Sequence, residues 1–165
     1  MIADQVNGFW SDARQQIRTD PWLTDLETLA DGAPTPAVSA FGATPAEADE
    51  FLALVLGGTK TATAGALWDY EHEGETLPRL GDLAIILDGS QRPRCLIEVT
   101  QVEIVPFDEV GAEYARLEGE GDLSLAYWRE VHERFFAEVA THGRGFIATM
   151  PVVMQRFRVL YPAHT

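Results

Sequence analysis

Residues 81–105 read GDLAIILDGSQRPRCLIEVTQVEIV, and this stretch decides the fold class. Asp82 to Leu87 is a short apolar run between turn residues, which predicts a buried strand. Asp88-Gly89 is a turn signal. Arg94 to Val105 predicts a longer strand, with Leu96, Val99, Val102 and Ile104 in partial alternation. Pro106-Phe107 breaks it, and a closing strand is expected over Val152 to Tyr161.

Outward from these strands the period becomes helical. Thr44-Pro45 opens a helix with Thr44 as cap, Pro45 in the first turn and Glu47 placed for a capping box. Ala48, Phe51, Leu52, Val55 and Leu56 form its apolar stripe, and Gly57-Gly58 ends it. Asp108 starts a helix through about Leu117, and Glu118 to Asp122 is a loop. Asp122 is placed to cap a helix from Leu123 to Ala140, with Ser124, Trp128, Val131, Phe135 and Val139 on one side. Ahead of all this, Val6, Phe9, Trp10, Ala13 and Ile17 predict a helix over Asp4 to Ile17. Asp20-Pro21 predicts a short second helix to Ala30, followed by a loop over Asp31 to Ala40. The first 40 residues are expected to pack on the domain formed by residues 41–165, because Phe9, Trp10 and Trp22 would otherwise be exposed; a homodimer contact is the alternative. The fold class is α+β: a small, mostly antiparallel sheet with flanking helices, for which curling into a small barrel removes exposed edges.

The totals bound the function. No apolar run approaches the roughly 18 to 20 residues that cross a bilayer, and the N-terminus has no basic start or apolar stretch, so neither a membrane span nor a signal peptide is expected. Cys95 is the single cysteine, which excludes an internal disulfide or a cysteine metal cluster and fits a cytoplasmic protein. Within its strand it reads as an inert buried thiol. Twelve basic residues against 26 acidic ones give a net charge of −14, which opposes non-specific binding of long polyanions. A nucleic-acid partner therefore needs a local cleft or must be as small as a nucleoside. There is no Gly-x-Ser-x-Gly elbow, no P-loop and no dinucleotide fingerprint.

Eleven of the twelve basic residues are arginine, and Lys60 is the one lysine. A compact ammonium differs from a guanidinium in hydration and in how far its pKa can be tuned, so Lys60 is the first candidate for chemistry. It follows a glycine-ended helix, among the hydroxyls of Thr59, Thr61 and Thr63. The second candidate is the Glu118-Gly119-Glu120-Gly121-Asp122 loop, where glycines permit turns that bring carboxylates together for acid–base work. No histidine or cysteine stands at ligand spacing beside it, so no metal and no cofactor are expected. Trp68 and Tyr70 are candidates for an exposed stacking surface, while Trp128 suits either core or stacking. His132, one turn past Trp128, reads as structural or as an acid or base.

These residues resemble the ASCH domain family of the PUA-like superfamily. The resemblance runs from Ala48-Asp49-Glu50-Phe51 through Val55 to Thr63, then Trp68 and Leu77 to Asp82. It continues through Pro93 to Thr100 and Pro106-Phe107 to Glu118 through Leu125, with Trp128, His132, Phe135 and Phe136. It covers about residues 41–161, and the front segment with Phe9-Trp10 is similar to longer bacterial members. It implies a PUA-like β-barrel with flanking helices and a cleft for RNA or a modified nucleoside. Some longer bacterial members cleave single-stranded RNA. Some compact ones hydrolyse the amide of N4-acetylcytidine with a lysine, a threonine three residues later and a glutamate. Carried over, these are Lys60, Thr63 and Glu118, with Glu120 the rival glutamate. Thr61, Trp68, Asp122, Ser124 and Trp128 are the candidate substrate contacts. Metal-independent cleavage of single-stranded RNA, with Lys60 in the cleft, is the leading expectation, N4-acetylcytidine-type amide hydrolysis is the alternative, and a non-catalytic RNA- or nucleotide-binding module is the third.

Overall fold

The structure is a computed structural model, and it describes residues 1–23, 29 and 32–162. Among these, the helices are α1 (Ile2–Arg18), α2 (Pro45–Leu56), α3 (Leu67–Glu73), α4 (Ala112–Glu118) and α5 (Leu125–Glu138). The strands are β1 (Ala37–Ser39), β2 (Ala62–Ala66), β3 (Leu83–Leu87), β4 (Pro93–Pro106) and β5 (Pro151–Tyr161). One mixed sheet runs in the order β1-β3-β4-β5-β2. The fold class is α+β, as the strand and helix periods predict. The chain divides into two compact units, Met1–Leu56 with Leu83–Glu98 and Arg158–Thr165, and Gly57–Asp82 with Val99–Phe157.

In the first unit α1 buries Val6, Trp10, Ala13 and Ile17, a stripe at helical spacing. They join Ile85, Leu96 and Leu160 in one core cluster, where each large side chain removed from water contributes about 1.5–3 kcal/mol. β3 pairs antiparallel with β4, from Leu83 opposite Glu98 to Leu87 opposite Pro93. The α2 capping box forms as read. Thr44 Oγ1 accepts from Glu47 N at 3.2 Å, and Glu47 Oε2 accepts from Thr44 N at 3.2 Å. Burial pushes the Cys95 thiol up to about 12, so it is no nucleophile.

Several elements differ from the sequence reading. The loop expected over Asp31 to Ala40 contains β1, parallel to β3 through Ala37 opposite Ala84. Three exposed residues carry no readable alternation, so only the pairing defines this strand. Most of the helix expected from Asp20 to Ala30 lies outside the described residues; residues 21–23 form a turn.

The second unit is built on β2 and β5, antiparallel from Ala62 opposite Arg156 to Ala66 opposite Val152. The helix expected from Asp108 is split. Phe107–Glu109 is a single 3-10 turn that drops Phe107 into the core, against Trp128, Phe136 and Phe146 at centroid distances of 5.2, 6.2 and 4.8 Å. α4 begins only at Ala112. α5 is capped by Ser124 rather than Asp122. Ser124 Oγ accepts from Tyr127 N at 3.1 Å, while Asp122 Oδ1 accepts from Ser124 N at 2.9 Å. Its buried stripe keeps Trp128 from the side predicted and takes His132 and Phe136 in place of Val131 and Phe135.

Candidate functional site

Lys60 is only 1% exposed, and its ammonium group is wholly inside the second unit. Nζ donates to Glu120 Oε1 at 2.8 Å, to the Ala62 carbonyl at 3.0 Å and to the Glu118 carbonyl at 3.4 Å. Glu118 Oε2 stands 3.6 Å away. The local chain explains why two glutamates converge on one lysine. α4 ends at Glu118, and Gly119 takes the left-handed conformation (φ +72°) that turns the chain back. A Cβ on Gly119 would stand 2.5 Å from the Thr59 carbonyl oxygen, so glycine alone permits this approach. The contact is sealed by Thr61, whose N–H donates to the Leu117 carbonyl at 2.8 Å.

His132 completes a quartet. Its Nδ1 donates to the Trp128 carbonyl at 2.8 Å, since a carbonyl only accepts. Its Nε2 lies 3.2 Å from Glu118 Oε2, and a second proton there makes an imidazolium–carboxylate pair. Burial opposes charge on both groups most strongly. For Glu118 that penalty is outweighed by His132 and then Lys60, which hold its carboxyl below the ordinary value. For His132 the Glu118 charge and hydrogen bond win, with Glu120 adding to them, and the imidazole sits above its ordinary value. The ring stacks on Trp128 at 4.2 Å and 16°. With Lys60 and His132 positive and both glutamates negative, the cluster is charge-balanced, as a buried ionic group must be. Among the described residues, Glu118 Oε1 and the Trp128 indole N–H are both buried without a well-formed hydrogen bond, and the indole still helps to hold the Glu118 carboxyl low.

Glu118, Glu120 and His132 bring ligand atoms within 4.8 Å of one another, a donor set a divalent cation could use. The Lys60 ammonium already stands 2.8 Å from one of those oxygens and 3.6 Å from another, and it supplies the positive charge instead.

A family model described as the ASCH domain matches residues 37–161. The chain belongs to the ASCH domain family. That family is RNA-associated in general. Two solved structures are similar over almost the whole ASCH chain. One is an ASCH domain from Lactobacillus crispatus JV V101, 28% identical, covering 96% of this chain and 95% of that one, with a TM-score of 0.81. The other is a protein from Enterococcus faecalis V583, 34% identical, covering 95% and 88%, with a TM-score of 0.80. No curated protein matches the chain.

The remaining predicted residues of this ASCH domain occupy different places. Thr63, in β2, is half-buried, and no hydrogen bond joins its hydroxyl to Lys60. Thr61 belongs to the seam with α4, where its Oγ1 donates to the Leu117 carbonyl at 3.4 Å. Asp122 and Ser124 both serve the start of α5. Trp128 is 2% exposed, between Phe107 and His132, so no face remains for a base to stack on. Trp68 is half-buried on α3, with the Arg144 guanidinium 4.9 Å over its ring and His142 at its edge. It borders a cavity of about 170 Å³ together with His72 and Arg144. The quartet member that sequence reasoning left undecided is His132. The available signal was its place one helical turn after Trp128, on the side that turns out to be buried.

Proposed function

We propose that the chain is a hydrolase of acylated nucleosides, with the Lys60–Glu120 pair handling charge and protons. One observation carries this reading: the chain's single ammonium is buried between two carboxylates, and of the four groups Glu120, at 11% side-chain exposure, is the one nearest to solvent. A charge-balanced cluster suits a small neutral substrate, and a net charge of −14 repels a long polyanion. Water attacks the acyl carbon and gives its proton to Glu120. Lys60 stabilises the oxyanion that forms. The C–N bond breaks, and Glu120 returns the proton to the departing amine of the base, leaving the free acid. Pure protein incubated with N4-acetylcytidine should release acetate, and Lys60→Met and Glu120→Gln should abolish the release. No acetate from wild type at high enzyme concentration would sink this reading.

A second reading rests on the His132–Glu118 pair at 3.2 Å. An imidazolium beside a carboxylate is the acid–base set that cleavage of RNA by its own 2′-hydroxyl needs, without metal. Cleavage of RNA oligomers that resists chelator and disappears in His132→Gln would establish it. Cleavage equal in wild type and variant would mark a contaminant. A rise in thermal stability with nucleosides, without turnover of either substrate, would leave a binding module.

A further inference from the structure

No part of the Lys60 side chain reaches solvent, and Glu120, its most exposed charged partner, closes on Nζ at 2.8 Å. What holds Glu120 in place therefore bears on access to the ammonium. Glu120 sits in the link between α4 and α5, and that link has a conformation the chain does not favour by itself. Gly119, Gly121 and Leu123 take positive φ values of 72°, 57° and 67°. A glycine loses more chain entropy on being fixed than any other residue. A leucine is uncommon in this region, because its Cβ crowds the following carbonyl. Leu123 is also 38% exposed, so its burial offsets little of that strain. Within the link, Leu123 N donates to the Glu120 carbonyl at 3.1 Å. Contacts from outside the link must supply the rest of what holds it.

Tyr127 supplies such a contact. It lies in the first turn of α5, where a side chain leans toward the helix N-terminus and so back over the link. Its N–H donates to the Ser124 side chain at 3.1 Å, which fixes that turn. Its ring lies against Gly121, the residue directly after Glu120. A Cβ added there would stand 2.3 Å from ring atoms Cε1 and Cζ and 2.6 Å from Cδ1. Only a glycine permits so close an approach. We propose that Tyr127 is the positioning residue that holds Glu120 across Lys60, and that it sets how readily the ammonium is uncovered to a ligand. This deepens the hydrolase reading, and it rests on that reading only for what the ligand is. When the ring contact gives way, the Glu120–Gly121 peptide turns between two glycines and the Glu120 carboxylate moves into water. Lys60 then keeps the Ala62 carbonyl at 3.0 Å, the Glu118 carbonyl at 3.4 Å and Glu118 Oε2 at 3.6 Å, so the opened ammonium is not left bare.

The single lysine makes the test direct, because only one side-chain amine exists to be labelled. Acetic anhydride is added to the full chain, and peptide masses give the rate of acylation at Lys60. The exposed N-terminal amine is the internal standard. Labelling of the buried Cys95 thiol with iodoacetamide, run in parallel, reports opening of the whole chain. In wild type Lys60 should react far more slowly than the N-terminal amine. Tyr127→Leu should raise the Lys60 rate, relative to that amine, at least about tenfold while Cys95 stays protected. Tyr127→Phe keeps the ring and should behave as wild type. Gly121→Ala drives the ring and the link apart from the other side and should match Tyr127→Leu; if Tyr127→Leu does not fold, Gly121→Ala decides the matter. An unchanged Lys60 rate, a rise that Cys95 follows in step, or a Tyr127→Phe as reactive as Tyr127→Leu overturns the inference. The labelling needs no turnover. Acetate release by wild type with Lys60 labelling unmoved by the substitutions would sink the role of Tyr127 and leave the hydrolase reading intact. Labelling that depends on Tyr127, with no acetate release from any substrate, would sink the reaction and sustain that role.

Discussion

Replacing Lys60 with methionine tests whether the buried quartet is the energetic centre of its unit. The substitution keeps the length of the side chain and deletes its charge. It removes the contacts to Glu120 Oε1 at 2.8 Å, to the Ala62 carbonyl at 3.0 Å and to Glu118 Oε2 at 3.6 Å. Breaking one side of a buried ion pair costs about 3–5 kcal/mol, because the partner charge stays behind without compensation. The lower end applies here, since Glu118 keeps His132 and Glu120 is 11% exposed and can turn to water. A loss of about 3 kcal/mol in a domain of this size lowers Tm by roughly 6–12 °C. The pH dependence adds a second handle. Glu118 titrates below its ordinary value of 4.5, so its contribution is present above that pH and is lost as pH falls through the folded value. His132 titrates above its ordinary value of 6.5, so its contribution is full below that pH and is lost as pH rises through the folded value. The pair is therefore strongest between these two values. In Lys60→Met the Glu118 carboxyl loses a stabilising charge and takes up a proton more readily, which relieves its repulsion from Glu120. The deficit against wild type should shrink as pH falls from about 7 to about 5. Thermal unfolding followed by circular dichroism at both pH values reads each effect. A Tm within about 2 °C of wild type at both would refute the claim that the ammonium is integral to the fold.

Lys60→Arg should also destabilise, by about 1–3 kcal/mol in the same assay, because a wholly buried ammonium site has no room for a guanidinium. Gly119→Ala should cost at least about 1–2 kcal/mol, from both the positive φ and the Cβ placed 2.5 Å from the Thr59 carbonyl oxygen; denaturant titration measures it. Ser124→Ala removes the α5 cap and should cost about 1 kcal/mol, with Asp122→Ala costing less because Asp122 does not bond into the helix. Imidazole NMR should show His132 doubly protonated above pH 6.5 in wild type and titrating lower in Glu118→Gln, where burial acts against the charge with less opposition.

Much of this molecule is local and therefore legible in the chain. The α2 capping box, the glycines that end helices, the apolar run of β3 and the alternation of β4 and β5 each depend on residues within a few positions of one another. β1 was not legible, because three exposed residues become a strand only through their pairing with β3. On α5 Trp128 lies on the side that the pattern predicts, but burial takes His132 and Phe136 rather than Val131 and Phe135, because the helix has apolar residues on more than one side.

The same division runs through the site. Sequence alone singled out Lys60, as one lysine among eleven arginines, and the Glu-Gly-Glu-Gly-Asp loop, because unusual residue choice and glycine spacing are written in the chain. Only the tertiary structure decided that Lys60 is buried, that Gly119 turns two glutamates onto it, and that His132 joins them from the next helix. It also left Thr63 outside the quartet and closed Trp128 into the core. The physical reason is that burial and charge pairing are properties of side chains brought together across 60 or more residues, and no local pattern records the dielectric in which a charge will sit.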